Sequence, residues 1–147
     1  MSDTTVSIDP TRAQFEAFKG LPRDQPIQML NLIRLKALAD YPSDHRDHNR
    51  GLTGLDAYRA YGRASAEIFA RVGGKQIWAG KPQVVLTGPT DEAWDLAFIA
   101  QYPDAGTFLA MITDPAYREH VKHRQAAVAD SRLIRLAPLT PGAGFGE

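Results

Sequence analysis

The stretch Ile27-Gln28-Met29-Leu30-Asn31-Leu32-Ile33-Arg34-Leu35-Lys36 decides the fold. It is dense in strand formers, and its apolar side chains fall at odd and even positions alike, so both faces of the strand need a cover. Upstream, Asp9-Pro10 reads as an N-cap with proline at the first helical position, opening a short helix whose Phe15 and Phe18 face a core before Gly20. Downstream, residues 40–54 carry Tyr-Pro, two histidines, two arginines and two glycines with no period, which reads as a long mobile loop. Gly54-Leu55-Asp56 then leads into a helix to about Val72, closed by Gly73-Gly74, the residues that most easily take a left-handed C-cap.

Further along, Gln76 to Gly88 reads as a strand bent or bulged at Gly80-Lys81-Pro82, and Trp94 to Tyr102 as its antiparallel neighbour. Pro103-Asp104 starts a helical region that breaks and restarts at Asp114-Pro115 and runs to about Ala129. A last strand, Arg132 to Ala137, precedes a Pro/Gly-rich tail. The order strand, helix, strand, strand, helix, strand is the α+β ferredoxin-like βαββαβ plan, a four-stranded antiparallel sheet with both helices on one face. The expected division is an N-terminal extension at 1–26, the α+β domain at 27–137 and a flexible tail at 138–147. Two helices cover only one face, yet Leu30 and Leu32 oppose Met29, Ile33 and Leu35, and Ala97 and Ile99 oppose Leu96 and Phe98. At roughly 25 cal/mol per Å² of apolar area, leaving such a second face wet forfeits several kcal/mol. Sheet-to-sheet pairing of two copies is the simplest cover; the alternative is that the loop at 40–54 and the N-terminal helix fold over that face.

Composition narrows the partners. At 147 residues, one domain is the default. Lys plus Arg equal Asp plus Glu at 17 each, so no global field draws in nucleic acid or an anionic membrane. Cysteine is absent, which removes disulfides, thiolate nucleophiles and cysteine-ligated metal sites. The N-terminal ten residues lack the basic start and apolar stretch of a signal peptide, and a cytoplasmic location is expected. Nucleotide-binding glycine motifs, Gly-x-Ser-x-Gly and His-Glu-x-x-His are all missing, and no cofactor is expected.

The tracts MLNLIRLK, LDAYRAYG…ARVGGKQIWAG, VVLTGPTDEAWDLAFIAQYP and FLAMITDPAYREHVKHRQAAVADSRLIRL together resemble bacterial proteins of domain-of-unknown-function family 1330, over about residues 27 to 137. The resemblance implies a dimeric α/β barrel, a superfamily that includes cofactor-independent monooxygenases, isomerases, haem proteins and members without known activity. One fold hosts many functions, so chemistry has to be argued from residues.

Arg124 is the most informative position. On the last helix Tyr117, Val121, Arg124 and Val128 fall on one stripe at 100° per residue, which sets a guanidinium amid apolar side chains. It needs a partner: a carboxylate such as Asp95 or Asp130, a set of carbonyls, or an anionic ligand. The resembling family has an arginine at the matching place after its Pro-x-Tyr element, here Pro115-Ala116-Tyr117. Tyr58 lies on the buried face of the first long helix with Tyr61 at its edge, and Asn31 interrupts an apolar strand face. The expected pocket is edged by Asn31, Tyr58, Tyr61, Trp78 and Arg124, with His123 as an outside candidate for proton transfer beside Tyr58. The same projection turns Glu119 and His123 to solvent and His120 to the border. His45 and His48 mimic a metal-binding tract, but arginines interleave, so no metal site is expected there. The leading expectation is a small-molecule enzyme or binder, acting by proton transfer or cofactor-free oxidation on a small, anionic or carbonyl compound. The alternative is a non-catalytic homodimeric module that sequesters a ligand or contacts another protein through the loop. Haem held by His120 or His123 ranks third.

Overall fold

The computed structural model describes residues 6–142 and 144–146. Residues 1–5 of the expected extension and residues 143 and 147 of the expected tail lie outside the described residues. In chain order the elements are α1 (Arg12–Gly20), β1 (Ile27–Leu35), α2 (Gly54–Arg71), β2 (Lys75–Gly80), β3 (Leu96–Tyr102), α3 (Ala105–Ile112), α4 (Pro115–Ala127) and β4 (Val128–Leu136). The sheet order is β2-β3-β1-β4 and every pairing is antiparallel, the ferredoxin-like arrangement expected from the element order. Among the described residues no helix is long and apolar enough to cross a membrane.

Local chemistry sets most of the boundaries. Thr53 and Asp56 exchange side-chain and backbone hydrogen bonds as a capping box at the start of α2, and Gly73, at φ 82°, ends it in the left-handed region. Asp114 caps α4, with Pro115 filling the first turn. At α1 the expectation is corrected: the N-cap is Thr11, paired with Gln14 in a capping box, not Asp9. Asp9 is drawn elsewhere, its carboxylate accepting from the Gln125 side chain at 3.3 Å and lying 3.8 Å from the Arg124 guanidinium. The strand expected over 76–88 stops at Gly80, and its irregularity is at Ile77, between Gln76 and Trp78. Pro82 has no N–H for a ladder, and Val84 to Leu86 pair with no strand. β4 begins at Val128, directly after α4.

Pairing fixes which side chains share a face. Met29 pairs with Ala100 and Arg135, and Asn31 with Phe98 and Leu133, so odd positions of β1 join even positions of β3 and odd positions of β4. This face meets the helices, since Ile27, Met29 and Ile33 are buried in the core. The core there is split. One cluster gathers Ile27, Met29, Ile68, Ala100, Tyr102, Phe108 and Tyr117; the other gathers Ile33, Tyr41, Ala57, Ala126, Ala127 and Val128. Asn31 lies between them on β1.

The opposite face carries Leu30, Leu32, Ile99, Trp78, Ile134 and Leu136. Neither segment expected as its alternative cover lies on it. α1 packs Phe18 on Phe108 of α3, and the 40–53 loop packs Tyr41 on His123 of α4, both on the helical side. The loop is irregular and largely exposed, as its sequence reads, but two of its side chains, Tyr41 and Asp47, are buried, and Leu38 bridges Thr53 across its base.

Candidate functional site

Between the two core clusters, the sheet and helices α2 and α4 enclose an open cleft of about 2030 Å³. Asn31, Tyr58, Tyr61, Tyr117, Arg124 and Ser131 supply its polar side chains at the centre, and the N-terminal segment and α1 close one side with Ile8, Phe15 and Phe18.

Arg124 is as deeply placed as its stripe implies, with a side chain 13% exposed. Of the partners read from sequence, it meets a backbone carbonyl rather than Asp95 or Asp130, with the Asp9 carboxylate 3.8 Å away. Nη1 donates to the Ile8 carbonyl at 2.5 Å and Nη2 to the Ser131 hydroxyl at 3.3 Å. Ser131 in turn donates to the Ser7 carbonyl at 2.6 Å, and the Ser7 N–H donates to Asp130 at 2.9 Å. Asp130 is committed to Ser7, Ser131 and Arg132, and Asp95 accepts from the Leu35 N–H at 2.7 Å, so neither reaches the guanidinium. Arg124 thus holds residues 7–9 as a strap along the cleft.

The phenols form the rest of the polar centre. The Tyr61 and Tyr117 hydroxyls lie 2.6 Å apart in one hydrogen bond, and the Tyr58 and Tyr61 rings are 5.5 Å apart. Two hydroxyls sharing one hydrogen bond leave one hydrogen to donate outward. Among the described residues the Tyr58 hydroxyl has no protein hydrogen-bond partner and no buried side-chain polar atom is left unpaired, so this hydroxyl faces the open cleft. Burial pushes Tyr58 and Tyr117 well above the ordinary phenol range and raises Tyr61 as well, with the Arg124 charge pulling back only in part. All three therefore stay protonated and act as donors. Asn31 donates through its amide nitrogen to the Met29 carbonyl at 3.0 Å, which leaves its side-chain oxygen as an acceptor.

Four of the six expected site residues, Asn31, Tyr58, Tyr61 and Arg124, line this cleft. Trp78 does not. It pairs with Ile99 and lies on the opposite sheet face, 50% exposed. His123 does not line the cleft either, and it is not solvated as the projection held: it is 9% exposed, beneath the 40–53 loop. Its Nδ1 is 2.7 Å from the Tyr41 hydroxyl, and its ring meets His45 edge-on at 5.5 Å. Asp47 belongs to the same cluster, accepting from Arg50 at 2.8 Å. Burial and the neighbouring His45 hold the His123 imidazole below its ordinary value, so it is neutral near pH 7. Burial alone would raise the Asp47 carboxyl, but the Arg50 hydrogen bond and the charges of His45, Arg46 and Arg50 outweigh it and keep the carboxylate ionised. Tyr117 was legible as a member of the Arg124 stripe. Tyr41, His45 and Asp47 had no local signal that joined them to His123.

Among solved structures, the chain is similar to the RPA0582 protein of unknown function from Rhodopseudomonas palustris, at 53% identity over 93% of this chain and 100% of that one, with a TM-score of 0.85. The methylated form of RPA0582 matches over 95% of this chain and 99% of that one, also at 53% identity, with a TM-score of 0.86. A dimeric protein of unknown function with a ferredoxin-like fold from Bacteroides fragilis is 14% identical over 80% of this chain and 100% of that one, at a TM-score of 0.46. No curated protein matches the chain. Residues 49–136 match the model of the domain of unknown function DUF1330, and the chain belongs to that family.

Proposed function

We propose that the protein binds a small organic molecule in the cleft, one with an apolar body and a carbonyl or carboxylate oxygen. The observation that carries this reading is the donor excess at the centre of an otherwise apolar space: the Tyr58 hydroxyl and one hydrogen of the Tyr61–Tyr117 pair have no protein acceptor, and a guanidinium stands beside them. Asn31 offers the centre one side-chain acceptor against these donors, and an oxygen ligand entering the open cleft would meet the donors it leaves over. A carboxylate would in addition meet the positive charge of Arg124, and a carbonyl would accept from the phenols alone. Phenols held protonated can steady a developing enolate oxygen, which keeps proton transfer compatible with the site. His123, the outside candidate for proton transfer, does not line the cleft, which favours binding over catalysis.

The test is a matched panel of phenylacetate, phenylpropanone and phenethylamine titrated against wild type, Tyr58→Phe and Tyr61→Phe. The acid and ketone are expected to bind, the amine not, and each loss of a hydroxyl to weaken binding by about fivefold, equivalent to roughly 1 kcal/mol. Equal binding of the amine, or affinities indifferent to both substitutions, would overturn the reading.

A second observation supports a homodimer built through the bare sheet face. The chain exposes 9901 Å², about a third more than the roughly 7,450 Å² of a compact monomer of its 16.2 kDa. Its β2–β3 connection holds Val84 and Leu86 out at 80% and 91% exposure. A second copy in isologous contact buries both the sheet face and this arm, on the scale of the roughly 2,000 Å² of an obligate pair. Sedimentation at about 10 μM is expected to give a dimer that Trp78→Asp with Ile134→Asp splits; a wild-type monomer would refute it.

A further inference from the structure

The 40–53 loop brings His45 and Asp47 onto His123 of α4, and one donor atom from each of the three lies within 4.8 Å of the others. The carboxylate presents a specific vacancy in its bonding. Oδ1 of Asp47 accepts from Arg50 at 2.8 Å, while Oδ2 stands 3.8 Å from Nδ1 of His45 and 4.0 Å from Nδ1 of His123, beyond hydrogen-bond reach of either. Ligands about 2.1 Å from a tetrahedral ion stand about 3.4 Å apart, so holding one ion requires the loop and α4 to draw these donor atoms in by up to about an ångström. Nδ1 of His45 accepts from the Asp47 N–H at 3.0 Å and Nδ1 of His123 is hydrogen-bonded to the Tyr41 hydroxyl at 2.7 Å, so an ion held at these atoms replaces both bonds. Arg46 and Arg50, the nearby charges that oppose a cation, sit on mostly exposed side chains free to turn outward.

We propose that His45, Asp47 and His123 form a binding site for a first-row divalent metal ion, with two imidazole nitrogens and one carboxylate oxygen as ligands. This site is separate from the cleft and does not rest on the cleft's ligand. Imidazole donors select zinc, iron, cobalt, nickel or copper over magnesium and calcium, which take all-oxygen sites. The ion ties the loop to α4, joining segments that are distant in sequence.

The experiment is a calorimetric zinc titration of chelator-treated full-length protein, with cobalt absorption as a second readout of ligand geometry. One ion per chain is expected, with a Kd on the order of 1 μM or tighter and a rise in Tm. His45→Ala and His123→Ala should each weaken binding at least about tenfold, while His120→Ala, on the adjoining stretch of α4, leaves it unchanged. If His123→Ala fails to fold, His45→Ala alone decides. No saturable binding, or binding that His45→Ala leaves unaltered, overturns the proposal.

Discussion

The two flanks of α4 are built from opposite chemistry. Toward the cleft the helix presents Tyr117 and Arg124, which with Tyr58 and Tyr61 make a centre rich in donors and short of acceptors. Toward the loop it presents His123, which with His45 and Asp47 makes a centre of nitrogen and oxygen lone pairs. His123 and Arg124 are neighbours in sequence, yet 100° of helical rotation sends them to these two environments. Partner chemistry follows from the inventory of each flank: an oxygen acceptor for the first, a cation for the second.

Both flanks lean on one joint, and breaking it should give the largest effect. A Cβ at Gly54 would strike the backbone carbonyl and nitrogen of Lys36 and approach the Ala127 carbonyl to 3.0 Å, none of which can yield like a side-chain tip. Gly54→Ala should therefore cost about 3 kcal/mol or more in urea unfolding, whereas Gly62→Ala in the same helix, with nothing within 4 Å, should gain up to about 1 kcal/mol.

Next in size is Arg124→Met, which strikes the cleft flank alone. Losing the bonds to Ile8 and Ser131 should cost about 2 kcal/mol and speed amide exchange at residues 7–9, with the 40–53 loop unchanged. Its counterpart on the loop flank, Tyr41→Phe, removes one hydrogen bond to His123 and should cost about 1 kcal/mol, leaving the strap's exchange untouched. If either substitution loosened both flanks equally, the separation drawn between them would fail.

The smallest effect is a pH dependence at the strap's anchor. Burial works to raise the Asp130 carboxyl, but hydrogen bonds from the Ser7 and Ser131 N–H groups and from Arg132 prevail and hold it below its ordinary value of 3.8. A carboxyl depressed in the folded state stabilises fully above its unfolded value and loses that contribution as pH falls through the folded one. Wild type should therefore lose stability below about pH 4 more steeply than Asp130→Asn, measured by Tm against pH.

Local signals carried most of the architecture. The two-sided apolar pattern of β1, the Gly73 terminator and the Asp114-Pro115 restart each act within a few residues, and the structure follows them. The errors arose where a distant partner or one extra residue decides the outcome. Trp78 reads as a flat apolar wall for the pocket, but the irregularity at Ile77 pairs it with Ile99 instead of Phe98 and turns its side chain to the other face. His123 was assigned to solvent because a helical projection knows only its own element, and the loop that buries it had no periodicity to announce its landing place. Asp9 looked like a cap because the competing pull of Arg124 and Gln125 comes from the far end of the chain.

The central claim is that the donor-rich flank receives an oxygen acceptor. A crystal structure of the phenylacetate complex tests it most directly. The account predicts a carboxylate oxygen within about 3 Å of the Tyr58 hydroxyl or of the Tyr61–Tyr117 pair, with the ring among the cleft's apolar walls. A ligand seated with its carboxylate turned away from all three phenols and from Arg124 would contradict it.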